Sequence, residues 1–194
     1  MMKIQDLSFG YKKNAPVLQN FNLDLQKGEL LAIMGPSGCG KSTLLQLIAG
    51  FLSPTDGVIQ TDAEKISYAF QEPRLFPWMT VKENLKAVLP KDAEASKIYD
   101  VLQFVELADA EKLYPNQLSG GMQSRAALAR ALLYGGDLFL MDEPFSALDE
   151  ALSKELTQKL RAALQGKGAS AILVTHQTEV AELFADRIIH LSKI

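Results

Sequence analysis

The sequence predicts an α/β fold with a mostly parallel sheet, an N-terminal antiparallel β part and an inserted helical subdomain. Three observations carry this expectation. The runs "LFLMD" and "AILVTH" are almost wholly apolar, as in strands covered on both faces. Helical patterns separate such strands, the alternation typical of a parallel sheet. Between Pro73 and Leu133 the strand character gives way to helical patterns.

The elements follow in order. "KIQDLSFGY" and then "QNFNLDLQKGELLAIMG" read as strands with turns. A helix is expected from Lys41 to Ala49, after a glycine-rich loop. "GVIQTDAEKISYAF" reads as a short hairpin whose second half, "KISYAF", is a strand. The helical block holds "TVKENLKAVL", "DAEASKIYDVLQFVEL" and "SGGMQSRAALARALL". Within it Ile98, Val101, Leu102 and Val105 fall on one apolar stripe. Leu152, Leu156, Leu160 and Leu164 line one side of a later helix. "TEVAELFAD" is a shorter helix and "RIIHL" a last strand. A single domain is expected, with a core of about residues 1–72 and 134–194 and a helical arm of about 73–133.

Composition narrows the function. A chain of 194 residues that is 47% hydrophobic can bury a core. Its net charge of −3, with no basic run, tells against a nucleic-acid platform. Cys39 is the sole cysteine, so no internal disulfide can form, and with two histidines no structural zinc site is expected. No eighteen-residue apolar stretch is present to span a membrane. The N-terminal stretch has no apolar secretion-type core, and the cytosol is the expected compartment.

The segment "LAIMGPSGCGKSTLLQLIAG" carries the clearest chemistry. It starts as a strand and ends as a helix, and the spacing Gly35-x4-Gly40-Lys41-Ser42 between them matches a phosphate-binding P-loop. Such a loop curls so that successive N–H groups point at a phosphate beside a helix N-terminus. Its residues are Gly35, Pro36, Ser37, Gly38, Cys39, Gly40, Lys41, Ser42 and Thr43. Lys41 is placed to neutralise β/γ oxygens, Ser42 to offer a hydroxyl to Mg²⁺, and Thr43 to touch the α-phosphate. Cys39 reads as a small residue that fits the loop, with a reactive thiol as the rival reading. Further on, "LFLMDEP" delivers Asp142 and Glu143 at the tip of a buried strand, where α/β sheets hold ligands. Asp142 suits steadying Mg²⁺, and Glu143 suits orienting and polarising a water.

At "LSGGM" the chain resembles the ATP-binding subunits of ABC transporters. The motifs run in family order: Tyr11, "GPSGCGKST", Gln71 in "AFQEP", "LSGGM", "LFLMDEP", "SALD" and His176 in "LVTH". The resemblance covers Leu7 to His190 and implies a P-loop ATPase core with ATP and Mg²⁺ as ligands. It implies that Tyr11 stacks on adenine, with Phe9 the competing candidate, and that Gln71 contacts Mg²⁺ and the lytic water. His176 would bond the γ-phosphate. Ser119, Gly120 and Gly121, at a helix start, would form a second phosphate half-site. That half-site would serve the nucleotide of another copy in an ATP-dependent head-to-tail homodimer, or of a paired ATPase subunit, with Asp149 reaching toward the partner's P-loop. Asp149 also reads as a helix N-cap. Met122 departs from the family, standing where glutamine is commonest.

The same resemblance implies partners. An integral-membrane permease and a separate solute-binding protein are expected, with the chain peripheral on the cytoplasmic face of the membrane. Wording such as "QEPRLFPWMTVKENL" is similar to nitrate, sulfonate, taurine and thiamine-precursor importers. Phe76, Trp78 and Met79 suit contact with the permease. An ABC ATPase of a lipoprotein-extraction or cell-division complex remains the alternative.

Overall fold

The computed structural model describes residues 1–12, 15–90 and 96–193. Strands β1 (Met2–Phe9), β2 (Leu18–Leu25) and β4 (Asp56–Thr61) form an antiparallel sheet in the order β2-β1-β4. A second sheet is parallel throughout its described pairings. It contains β3 (Leu30–Met34), β5 (Ile66–Ala69), β6 (Leu138–Asp142), β7 (Ser170–Val174) and β8 (Arg187–His190), in the order β5-β6-β7-β3-β8. Every residue of β3, β6 and β7 is buried, which explains why all but Asp142 and Ser170 are apolar.

One expectation is corrected. "GVIQTDAEKISYAF" is not a hairpin: β4 pairs with β1, whereas β5 pairs with β6 in the other sheet. The residues between β4 and β5 cross from one sheet to the next. Five parallel strands need β5 beside β6, and β1 offers β4 an antiparallel edge instead.

Helix α1 (Lys41–Ile48) packs its buried leucines on the sheet face formed by Leu138, Leu140, Ile172 and Val174. The antiparallel sheet closes the same cluster with Met2, Ile4, Leu7 and Leu25. The opposite face, including Phe139 and Leu173, is covered by α5 (Glu150–Gly166) and α6 (Thr178–Phe184). Leu156, Leu160 and Leu164 of α5 are fully buried there, and Leu152 packs at the margin.

The helical block has its own core. Helices α2 (Val81–Lys86), α3 (Ser96–Phe104) and α4 (Gly120–Tyr134) enclose Val81, Leu85, Ile98, Leu102, Ala126 and Ala129. Val101 packs on this cluster, and Val105 is buried just past the end of α3. The first residues of the expected helix "DAEASKIYDVLQFVEL", 92–95, lie outside the described residues. A capping box at Thr80 and Glu83 starts α2. The far end of α4 serves the main core: Leu128 and Ala131 join the α5 cluster, and the Ser67 hydroxyl donates to the Ala131 carbonyl at 2.7 Å.

Candidate active site

Strand β3 runs straight into the glycine loop, and the loop into α1. Its backbone is tightly wound because neighbours press on it. A Cβ at Gly35 would stand 2.3 Å from the Leu191 carbonyl oxygen, and one at Gly40 2.9 Å from Val17 Cγ1. Gly40 also adopts a φ of 102°, which side-chain-bearing residues rarely take. No side chain caps α1, so its first amides stay open to an anion. Lys41 Nζ donates to the carbonyls of Gly35 at 2.8 Å and Pro36 at 3.0 Å, which holds the ammonium over the loop.

At the tip of β6, Asp142 is buried and Glu143 follows with a φ of 50°. This left-handed conformation is a strained one for glutamate. It ends the strand abruptly, and the Glu143 amide still bonds the Val174 carbonyl at 2.9 Å. Burial pushes the Asp142 carboxyl above the usual carboxylate range, and the Glu143 charge adds to the push. A hydrogen bond from the Ser42 hydroxyl and the charge of Lys41 oppose it. His176, just past β7, places Nδ1 2.9 Å from both Glu143 carboxylate oxygens. An ionised carboxylate only accepts, so Nδ1 carries the hydrogen.

These groups surround one cleft of about 600 Å³. Loop residues Gly35, Ser37, Gly38, Gly40, Lys41, Ser42 and Thr43 line it, with Tyr11, Gln71, Asp142, Glu143 and His176. Tyr11 is 63% exposed at the cleft mouth. Its hydroxyl lies 3.2 Å from Thr43 Oγ1, and Phe9 meets its ring edge to face at 5.0 Å. Val17 and Ser146 also line the cleft and were not foreseen. Val17 has no sequence signal. Ser146 donates to the Glu143 carbonyl at 3.0 Å, a turn bond that its place three residues after Glu143 could have suggested.

The remaining expected residues lie elsewhere. Pro36 is exposed but does not line the cleft. The Cys39 side chain turns inward and is 2% exposed in the core cluster. Ser119, Gly120 and Gly121 begin α4 outside the cleft, where the Ser119 hydroxyl accepts from the Met122 amide at 3.2 Å. Met122 itself packs on the arm's core. Asp149 caps α5, accepting from the Leu152 amide at 3.0 Å.

The oxygen donors fit a magnesium ion. Asp142 brings a buried carboxylate to the cleft, the Ser42 hydroxyl stands beside it, and Gln71 lines the same cleft. Among the described residues no cluster of three or more His, Cys, Asp and Glu forms a metal cage. Magnesium needs none, since it takes one or two carboxylates and completes its shell with phosphate and water.

Fold and cleft together define a nucleoside triphosphatase of the phosphate-loop class. The chain belongs to the ABC transporter family, which it matches over residues 18–146. It is 41% identical to the aliphatic sulfonates import ATP-binding protein of Bacillus licheniformis over 197 residues, covering 96% of this chain and 77% of that one. The bicarbonate transport ATP-binding protein of Synechococcus elongatus is 39% identical over 189 residues, covering 90% of this chain and 28% of that one. A bacterial ABC transporter cassette solved as a dimer superposes with a TM-score of 0.92 at 32% identity, covering 99% of this chain and 94% of that one. Its post-hydrolysis state bound to ADP and Pi gives 0.89 at 32% identity, covering 98% and 94%. The chain is an ATP-binding, ATP-hydrolysing cassette. Among the described residues no helix is long and apolar enough to cross a membrane.

Proposed function

We propose that this chain is the ATPase subunit of an importer for a small solute, worked by closure of a head-to-tail homodimer around two ATP molecules. It acts as one domain, with a core of about residues 1–72 and 134–194 and a helical arm of about 73–133. The observation that carries the reading is the separation of two anion-binding helix starts. One, at Lys41, lies in the cleft; the other, at Gly120, opens α4 outside it. Two copies arranged head to tail bring the second against the first.

Each residue then has a task. The loop amides and Lys41 hold the β- and γ-phosphates, and Tyr11 stacks on adenine. Ser42, Asp142 and Gln71 hold Mg²⁺, which supplies neutralising charge for the phosphates. Glu143 orients the attacking water, and His176 orients the Glu143 carboxylate and reaches the γ-phosphate. Ser119, Gly120, Gly121 and Asp149 complete the site of the partner copy.

The membrane partners follow from the relatives' import functions. A permease receives the motion, a solute-binding protein delivers solute, and the chain sits peripherally on the cytoplasmic face. Phe76 and Trp78, 40% and 69% exposed, offer the permease an aromatic contact. Buried Asn84 braces that surface through bonds to Phe76, Met79 and Thr80, and Arg130 donates to the Pro73 carbonyl at 3.0 Å.

Glu143→Gln tests the reading. With ATP and Mg²⁺ it should run as a dimer on a sizing column, because binding persists while hydrolysis slows. A monomer at saturating, verified ATP would sink the dimer, and wild-type turnover would remove Glu143 from catalysis.

A further inference from the structure

Three buried side-chain atoms among the described residues bond no protein group: Tyr68 Oη, Arg125 Nε and Asp142 Oδ1. Two of these share a neighbourhood. Tyr68 on β5 pairs with Leu140 on β6, and both pack into the α1 cluster. Asp142 lies two residues beyond Leu140 on the same strand, so alternation places it on that same face. Tyr68 and Asp142 are therefore diagonal neighbours across adjacent strands, a separation that a long aromatic side chain can bridge.

The chemistry of the pair is complementary. A phenol donates and a carboxylate accepts. Leaving either group buried and unpaired costs about 1–3 kcal/mol. Burial, and next the Asp142 charge, lift the Tyr68 phenol well above its ordinary value, with Arg74 opposing. The phenol therefore keeps its proton, and the two groups stand within electrostatic reach. Its ring is held by aromatic contacts: Phe70 stacks on it at 4.1 Å between centroids, and Phe51 lies tilted against it at 5.6 Å. The Ser42 hydroxyl stands beside the Asp142 carboxylate and favours its charged form.

We propose that Tyr68 is a positioning residue for Asp142: through one ordered water its hydroxyl donates to Oδ1 and holds the carboxylate toward Ser42 and the cation. One carboxylate oxygen is thus anchored by the sheet, leaving the other for the site. The inference rests on the reading of Asp142 as a holder of Mg²⁺. Partners of this kind typically change metal affinity by about 10–100-fold, and a water-mediated one belongs at the low end.

The test uses the full chain with a nonhydrolysable ATP analogue. Tyr68→Phe keeps the ring and its stacking and removes only the hydroxyl. It should raise the Mg²⁺ concentration giving half-maximal binding enhancement by about tenfold. Analogue binding in EDTA, which a merely structural defect would weaken, should stay unchanged. Asp142→Asn serves as the reference, and in that background Tyr68→Phe should have no further effect. Asp142→Asn shifting the Mg²⁺ dependence while Tyr68→Phe does not would overturn this proposal alone. An unshifted Asp142→Asn would overturn it together with the reading beneath it. Should Tyr68→Phe fail to fold, a high-resolution crystal structure of the wild type decides. A water in hydrogen-bond reach of both Tyr68 Oη and Asp142 Oδ1 supports the proposal, and its absence refutes it.

Discussion

The two glycines that open α4 separate packing from partner contact. A Cβ at Gly121 would meet the Ala147 carbonyl oxygen at 2.8 Å and Leu148 Cδ2 at 3.0 Å. That carbonyl belongs to backbone just before the Asp149 cap, so it cannot swing aside as a side-chain end could. A Cβ at Gly120 would meet nothing within 4 Å. Overpacking costs about 1–3 kcal/mol. Exchanging glycine for alanine in a helix returns up to about 1 kcal/mol, less in the first turn. Gly121→Ala should therefore be less stable than Gly120→Ala by about 2 kcal/mol, or roughly 4–8 °C in melting temperature for a chain of this size. Urea denaturation of the two variants without nucleotide measures this. Function should run the other way. The methyl of Gly120→Ala projects into space open on this chain, where the partner's phosphate is proposed to arrive. That variant should fold, bind ATP and fail to dimerise with ATP. Equal stabilities would refute the packing argument, and an intact ATP-dependent dimer in Gly120→Ala would refute the placement of the phosphate.

Three further outcomes are expected. Tyr11→Ala should weaken ATP binding about tenfold, since stacking on a base contributes about 1–3 kcal/mol, while Tyr11→Phe should bind nearly as the wild type; equilibrium titration with a fluorescent nucleotide distinguishes them. Asp142 has a raised folded pKa, so the native state holds a proton that the unfolded chain has lost, and nucleotide-free stability should fall as pH rises from the ordinary aspartate value through the raised one. Melting curves of Asp142→Asn across that window should lack this part of the slope and lie above the wild type at neutral pH. Leu160→Ala empties a fully buried position on α5 and should cost about 2–5 kcal/mol by chemical denaturation, with no change in the Mg²⁺ dependence of nucleotide binding.

Much of the site could be read without coordinates, because its parts are short-range devices. The loop from Gly35 to Thr43 writes a backbone path within nine residues, and the tip of β6 carries Asp142 and Glu143 on consecutive positions. Buried strands announce themselves by composition, and α5 by its leucines at every fourth position. What tertiary structure alone decided were relations between distant segments. The sheet that β4 joins depends on which edges β1 and β6 leave open, not on the residues between β4 and β5. The Glu143–His176 bond links residues 33 apart in sequence and exists only because β6 and β7 lie side by side. Gly35 and Gly121 must lack side chains for reasons located at Leu191 and Ala147 rather than in their own motifs. Tyr68 gave no sign of a role, since its meaning comes from a carboxylate delivered by the neighbouring strand. Short-range pattern encodes backbone geometry; contact between remote groups is settled by strand order and close packing, which no local window contains.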